Sequence, residues 1–290
     1  MPMPSDLRSS VLDEVYVIFV LFNLFILRII YMRSGFSALS IAGALLYSSF
    51  AVSGESGIRS MLPTYRPVIS FTGGYANMDA TGKAYFLGDD ESLFSYDSKT
   101  NSRNGGVVGG FLGVERSLPW YDLLAQVGVE YNYFTPIQIH GEHTVGMDPD
   151  YSTLYHYRYQ FQSQQVLASF KLLATNDKFL HPYLQVGLGA AWNKVGHFSA
   201  TTAETGSINL TPSFNDHTKA EFSYNLGAGL DFDMSQNIRL GFGYRFSGLG
   251  NASLTGGQIS MGDFTTSVPF AVGIHHAGAH QVIASISYVK

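Results

Sequence analysis

Few residues of this chain carry charge, and eight of the charged ones share one face of predicted strands with glycines and small polar residues. They are Glu115, Glu130, Lys171, Glu221, Asp231, Asp233, Arg239 and Arg245. A guanidinium group and a carboxylate held together away from water form short, charge-assisted hydrogen bonds. Because an unpaired buried charge is costly, we expect opposite charges in this set to pair and to fill an enclosed space. The alternative is that these charges line a path for ions.

One pair follows from a predicted turn. Residues 220–234 and 238–246 alternate apolar and polar residues on either side of Ser235–Asn237, which predicts an antiparallel hairpin. A hairpin centred on Gln236 places Asp233 opposite Arg239, within reach of a direct interaction. For Arg245 the same reasoning favours Glu221 as the in-strand neighbour. Glu130, from a distant strand, is the alternative partner.

Histidines supply the other candidate chemistry. His140 and His143 lie three residues apart with Glu142 between them, a donor set that would suit a divalent metal. His275, His276 and His280 lie just before the last predicted strand. They would either chelate a metal or change charge near pH ~6.5. We favour incidental polar loop residues in both cases, and we assign no metal site, no cofactor and no catalytic residue.

Composition excludes several classes of protein. The chain has 290 residues, no cysteine, 17 basic and 22 acidic residues and a net charge of −5. It therefore has neither disulfides nor a thiol nucleophile, and no basic surface for nucleic acid. Charged residues make up 13% of the chain and the mean hydropathy is +0.07, a combination that does not fit a bundle of membrane helices. The sequence shows no spaced Ser, His and acid motif, so we expect no enzymatic activity.

The elements that must position these charges are strands. Alternation with a period of two predicts further strands at 66–76, 107–115, 121–133, 155–173, 183–193 and 280–289. One face is apolar with aromatic residues toward its ends, and the other carries Gly, Ser, Asn, Gln and the charges. A closed barrel is the sheet that satisfies every backbone group in lipid. The phase slips near Gln162–Gln165, which indicates either a bulge or a strand top clear of the membrane.

The predicted connections alternate in length. Short ones lie at 117–120, 174–181 and 235–237, and long ones lie at 77–104, 135–154, 197–217 and 251–278. Small membrane barrels have short turns at one end and long loops at the other. The predicted fold is therefore all-β, an eight-stranded antiparallel transmembrane β-barrel with four long external loops.

The N-terminus predicts targeting. Residues 32–51 have Arg33, an apolar run and the small residues Ser49 and Ala51, as in a helical secretory signal cleaved after Ala51. Residues 15–32 are apolar too, and an uncleaved anchor there is the alternative. The predicted organisation is a signal and targeting segment at 1–51 (1–31 an upstream start artefact, 32–51 the signal peptide), a short periplasmic lead at 52–65 and the barrel at 66–290.

The segments 182–195, 222–246 and 280–290 resemble the small outer-membrane β-barrels of Gram-negative bacteria, the opacity-protein and OmpA/OmpX-like group. The resemblance implies a location in the outer membrane among lipid and lipopolysaccharide, and a monomeric state. It also implies recognition of a terminal aromatic residue by the barrel-assembly machinery. Tyr288 matches that residue, although Val289 and Lys290 follow it here.

These observations predict a barrel with a lumen filled by side chains. Its loops would serve surface contact, adhesion or envelope integrity, with an unidentified external ligand. The first alternative is a narrow non-specific pore. The second is an outer-membrane surface enzyme acting on lipid A or peptide.

Overall fold

The structure is a computed structural model that describes residues 65–87, 93–98, 102–118, 123–145, 153–174, 179–202, 212–261, 264–268 and 272–290. All of them belong to one compact unit, Leu62–Lys290. The predicted signal peptide, the alternative anchor and nearly all of the predicted lead lie outside the described residues.

The described residues form strands. They are β1 (Tyr65–Thr81), β2 (Lys83–Leu87), β3 (Leu93–Ser98), β4 (Ser102–Leu118), β5 (Leu123–Val145), β6 (Thr153–Ala174), β7 (Leu180–Thr202), β8 (Ser213–Asn215), β9 (His217–Asp233), β10 (Ile238–Ser253), β11 (Thr255–Met261), β12 (Phe264–Val268) and β13 (Gly273–Val289). In this part of the chain, no helix is long and apolar enough to cross a membrane.

Eight of the described strands close into an antiparallel ring. The order is β1, β4, β5, β6, β7, β9, β10 and β13, and β13 pairs back with β1. Each predicted strand segment overlaps a strand of this ring, so the all-β, eight-stranded barrel is confirmed. We call the end with the short connections at 119–122, 175–179 and 234–237 the lower end, and the opposite end the upper end.

The prediction of four long loops is wrong for much of those segments. β5 continues to Val145 and β6 begins at Thr153, so most of 135–154 is a tall hairpin. β2 and β3 form a second hairpin, and β3 pairs with the top of β5. β8, β11 and β12 form a separate three-stranded sheet. We call these five strands and the upper ends of the ring strands (76–81, 134–145, 153–163, 191–202, 249–253 and 273–279) the upper extension.

The chemistry of the two faces reverses between the barrel and the upper extension. In the barrel the outward side chains are apolar and the inward ones are polar. β6 shows the change within one strand, because Tyr155, Tyr157, Phe161, Gln165 and Ser169 all face inward and are buried. β6 itself gains no residue near Gln162–Gln165, and the register shift beside it, between Phe134 and Ile137, inserts the extra residue in β5. The bulge at this height therefore lies in β5 and not in β6, and the phase slip within β6 comes from the change in which face is apolar, as the strand top clear of the membrane predicts.

A bulge does occur in β5, at Thr135 and Pro136. The register with β6 shifts between Phe134 and Ile137, so one extra residue is inserted in β5. A bulge accommodates proline because no ladder hydrogen bond is required of its nitrogen. Thr135 Oγ1 accepts a hydrogen bond of 2.7 Å from the Gly106 backbone N–H, which satisfies one donor beside the bulge. The insertion turns Ile137 and Ile139 inward, where they join an apolar core.

The core of the upper extension is largely aromatic and aliphatic. Its buried members are Ala76, Met78, Ala80, Tyr96, Val107, Phe134, Ile137, Ile139, Tyr155, Tyr157, Tyr159, Phe161, Ala191, Val195, Phe214, Leu249, Ala252, Leu254, Val272, Ile274, Ala277, Ala279 and Ile283. We call this set the upper core. The barrel interior is therefore polar in its lower part and apolar in its upper part.

Candidate functional site

The middle of the lumen is organised around Arg245, a fully buried side chain on β10. Its Nη1 donates to Glu130 of β5. Its Nε and Nη2 donate to Gln281 Oε1 at 3.0 and 2.7 Å, and Nη2 also donates to Asn132 Oδ1 at 3.0 Å. The planar guanidinium group is therefore held on three sides by partners from two other strands.

Glu130 accepts the other hydrogen bonds that are formed at this height in the lumen. Besides Arg245, its carboxylate accepts hydrogen bonds from Asn132 at 3.2 Å, Ser169 at 3.1 Å, Gln185 at 2.7 Å and Asn225 at 3.2 Å. We call Glu130, Asn132, Ser169, Gln185, Asn225, Arg245 and Gln281 the central network. Its members come from six of the eight ring strands, β5, β6, β7, β9, β10 and β13. Side chains from opposite walls therefore meet across the lumen.

A second network lies at the lower end. Arg239 Nε donates to Asp233 Oδ1 at 2.8 Å and its Nη1 donates to Glu115 Oε2 at 2.7 Å. Arg66 lies 3.3 Å from the other oxygen of Glu115, and His181 Nε2 lies 2.9 Å from Asp233 Oδ2. We call these five residues the lower network. It joins β1 and β4 to the hairpin of β9 and β10 by charge, although neither β1 nor β4 is paired with that hairpin in the sheet.

A further ion pair, formed by Lys171 and Asp231, lies between the two networks. Lys171 Nζ lies 2.6 Å from Asp231 Oδ2 and 3.8 Å from the centre of the Tyr183 ring. A polar cavity of about 30 Å³ adjoins Lys171, Tyr183 and Arg245. A cavity of that size holds about one or two water molecules.

Above the central network the interior becomes aromatic. The rings of Tyr96 and His143 stack with centroids 4.0 Å apart and planes 5° from parallel, and His143 lies 5.3 Å from Tyr155. Tyr157 and Tyr159 stack at 6.0 Å. Burial lowers the pKa of His143 to about 4 and raises the pKa values of Tyr96, Tyr157 and Tyr159. All four side chains are therefore neutral at pH 7.

Of the two charge pairs predicted within the hairpin, one is correct and one is wrong. Asp233 lies opposite Arg239, as the hairpin register predicts. The prediction that Glu221 neighbours Arg245 is wrong, because Gly227 is the facing residue. Glu221 lies farther up β9, with its carboxylate 2.5 Å from Lys219 Nζ. The alternative partner Glu130 reaches Arg245 across the barrel, because the lumen is narrow.

The structure places the histidines of the predicted groups on different faces of the strands. His140 and His143 were expected in a loop but belong to β5, where His140 faces outward and His143 faces inward, so they cannot share a metal ion. His280 Nδ1 lies 2.5 Å from the Tyr244 hydroxyl on the outer wall, and its Nε2 lies 3.6 Å from Asp79. Across the described ranges, no cluster of three or more histidine or acidic side chains is arranged to hold a metal. Tyr288 faces outward from β13 and is exposed.

Sequence reasoning placed amides on the inward face but did not predict that they bind Glu130. Asn132, Gln185 and Asn225 share the inward parity of the charges, and that parity was the available signal. Sequence reasoning missed the upper core as well. The inward tyrosines of β6 alternate regularly. Because the apolar face of each strand is expected to point toward lipid, the sequence assigns these tyrosines to the outer face of the barrel, which is wrong.

The closed antiparallel ring with an apolar outer wall and a polar interior defines a transmembrane β-barrel. Residues 60–270 match the family described as the outer membrane protein beta-barrel domain, so the chain belongs to that family. It is an integral protein of the outer membrane of Gram-negative bacteria.

Solved structures of the same kind are similar to this chain at low identity. Neisserial surface protein A is 13% identical, with 77% of this chain and 96% of that chain covered and a TM-score of 0.33. OprG from Pseudomonas aeruginosa is 12% identical, with coverage of 79% and 98% and a TM-score of 0.42. The outer membrane protease OmpT from Escherichia coli is 7% identical, with coverage of 79% and 99% and a TM-score of 0.42. A comparison with curated protein sequences found no match.

Proposed function

We propose that this protein is a non-conducting outer-membrane barrel that displays the upper extension on the cell surface for contact, adhesion or envelope integrity. The observation that carries the proposal is the double closure of the interior. The central network blocks the lumen with hydrogen-bonded side chains, and the upper core blocks the same axis with packed aromatic rings. An ion would have to pass through both.

The central network resists opening because its charges depend on one another. Glu130 and Arg245 are 4% and 1% exposed. Removing one partner of a buried pair costs about 3–5 kcal/mol, since the other charge remains without compensation. Four neutral donors also bind Glu130, so a rearrangement of Arg245 alone leaves the lumen occupied. An eight-stranded barrel has an interior just wide enough for such side chains.

The outer surface of the upper extension supports the display role. The exposed large apolar side chains of the described residues lie on or below the barrel wall, for example Phe71, Leu184 and Phe242, and in the upper extension only Trp192, at its lower edge, is one of them. On β7 the outward apolar residues run from Leu184 to Trp192, close to the ~9–11 residues that a tilted strand needs to cross a bilayer. Above them the outward residue is Lys194. We therefore propose that the upper extension is extracellular and the lower end periplasmic, since such barrels have short periplasmic turns and longer extracellular connections.

The enzymatic alternative has weak support on the outer wall. Tyr244, His280 and Asp79 form a chain of polar groups, but the 3.6 Å between His280 and Asp79 is long for an orienting hydrogen bond. We propose no catalytic role. For assembly, we propose that the barrel-assembly machinery recognises Tyr288 on the outward face of β13 and that the protein inserts as a monomer.

The narrow pore is the competing function, and the water-sized cavity beside Lys171 favours it. Planar-bilayer recording of the refolded protein separates the two. We expect no stable single-channel steps at neutral pH. One variant extends the test, because Arg245→Ala should leave the upper core in place and still not conduct. Reproducible steps in the unmodified protein would contradict the proposal.

Display is tested on intact cells. A short epitope inserted at 146–150, between β5 and β6, should be accessible to an antibody without permeabilising the outer membrane. The same epitope inserted at 235–237 should be accessible only after permeabilisation. The opposite labelling pattern would reverse the assigned orientation.

A further inference from the structure

A cavity opens on the outer wall of the upper extension, at the bulge where β7 departs from β6. Its volume is about 320 Å³, and it is lined by Gln138, Arg158, Tyr159, Gln160, His197, Phe198 and Ser199. The bulge lies between the paired positions Arg158↔Ser199 and Gln160↔Gly196. His197 has a φ of 55°, a left-handed conformation that is strained for a residue with a Cβ.

Arg158 is held in position at this cavity and has no carboxylate partner among the described residues. Its Nε donates to Ser199 Oγ at 2.9 Å, which fixes the plane of the guanidinium group. Other basic side chains of the structure are paired, for example Lys194 with Asp216 at 4.0 Å and Lys219 with Glu221 at 2.5 Å. The terminal nitrogens of Arg158 therefore remain available for an anion.

The other side chains at the cavity are polar donors, apart from Phe198. Gln138 and Gln160 contribute amides and His197 contributes an imidazole. Two carboxylates lie nearby: Glu142 is 3.7 Å from His156, and Asp216 accepts a 2.9 Å hydrogen bond from the His197 backbone N–H at the edge of the cavity and lies 4.0 Å from Lys194 Nζ. A planar guanidinium beside several neutral donors matches the oxygens of a phosphate group, which Arg binds through paired hydrogen bonds.

The height of the cavity indicates what carries the phosphate. Gln164, six positions below Arg158 on β6, is paired with Tyr133 and Trp192 at the upper edge of the barrel wall. Six residues correspond to about 20 Å along a strand, and to about 15 Å along the axis of a tilted barrel. At that height the outer wall faces sugar headgroups and not acyl chains. The amides would bind sugar hydroxyls beside the phosphate.

We propose that this cavity is a binding site for a sugar phosphate, centred on Arg158. The phosphate comes either from the saccharide part of lipopolysaccharide in the same membrane or from a free phosphorylated sugar. The site lies outside the lumen, so the proposal does not depend on whether the barrel conducts.

The test uses the full barrel folded in an uncharged detergent and in nanodiscs. In detergent, glucose 1,6-bisphosphate is titrated while the Nε–H signal of Arg158 is followed by NMR. In nanodiscs, binding of lipopolysaccharide is compared with binding of the same lipopolysaccharide after enzymatic removal of its phosphates. Saturable binding in either arm supports the site, and the arm that responds identifies the source. No phosphate-dependent binding in either arm overturns the proposal.

Matched variants distinguish the site from diffuse attraction by charge. Arg158→Gln should weaken binding at least tenfold, and Arg158→Lys should lose part of the affinity because it cannot keep the bond to Ser199. Lys219→Gln removes one exposed positive charge elsewhere and should change affinity less than twofold. Folding of each variant is checked by its gel shift on heating. Equal losses in Arg158→Gln and Lys219→Gln would overturn the proposal.

Discussion

Phe134 and Ile137 both point into the barrel, although three positions separate them on one strand. In a regular strand such residues lie on opposite faces. The extra residue at Thr135–Pro136 restores Ile137 to the interior. This relationship joins a polar lumen to an apolar core within β5.

The bulge makes the upper core dependent on inward aliphatic residues of β5. Ile139→Ala should destabilise the upper extension by about 2–5 kcal/mol, because it leaves a cavity among buried rings. The barrel below should be little affected. Hydrogen exchange of the β5 and β6 amides, resolved by residue, measures both parts. Val129→Ala, on the lipid-facing side of the same strand, is the control, and it should not change exchange above Phe134.

The barrel wall is tested by a charge facing lipid. Leu230 is exposed on β9 and lies between the inward residues Gly229 and Asp231. Leu230→Arg should cost about 2–4 kcal/mol of folding free energy, as expected for a cation on the lipid face. The measurement is equilibrium unfolding in lipid vesicles. Thr218→Arg, outward on the same strand but near its upper end, should cost much less, and equal costs would contradict the assigned faces.

The central network predicts strong coupling between Glu130 and Arg245. Each single alanine variant leaves a buried charge without its partner, so each should be more destabilising than the double variant. A double-mutant cycle measured by urea unfolding gives the coupling. The pair Asp233 and Arg239 is the comparison, since the Asp233 side chain is 31% exposed and water screens it. A coupling no larger for Glu130 and Arg245 than for this pair would indicate a hydrated lumen.

His143 predicts a pH dependence of the upper extension. Its pKa is about 4 in the folded protein, below the ~6.5 of an exposed histidine, because burial disfavours the charged ring. The unfolded form therefore binds the proton first. Stability of the upper extension is complete above pH ~6.5 and falls as the pH decreases toward ~4, by up to about 3 kcal/mol.

Limited proteolysis between pH 7 and pH 4 measures this loss. His143→Phe should remove the pH dependence, since phenylalanine keeps the stacking with Tyr96 and does not titrate. His140→Phe, which changes the outward histidine of the same strand, should leave the dependence intact. Acid sensitivity that persists in His143→Phe would assign the effect to another group.

Sequence alone determined the ring. Strict alternation at 220–234 and 238–246, with the short turn Ser235–Asn237 between them, specifies strands, faces and register, because a slip of one residue would expose every inward side chain to lipid. It also determined the opposition of Asp233 and Arg239, since a short hairpin fixes which residues face each other. Both properties are local, and neighbouring strands suffice to define them.

The tertiary structure decided what lies far apart in the chain. Arg245 binds Glu130 and not Glu221 because the narrow lumen brings opposite walls of the barrel together. The pairing of residues within one hairpin does not predict the distance between opposite walls. The sequence did not reveal the upper extension because the same alternation of apolar and polar residues occurs in strands surrounded by lipid and in strands surrounded by water. Where lipid surrounds the wall, the apolar face points outward, and where water surrounds it, the aromatic residues of β6 turn into the core. The pattern gives the period of a strand, but the surroundings decide which face is buried.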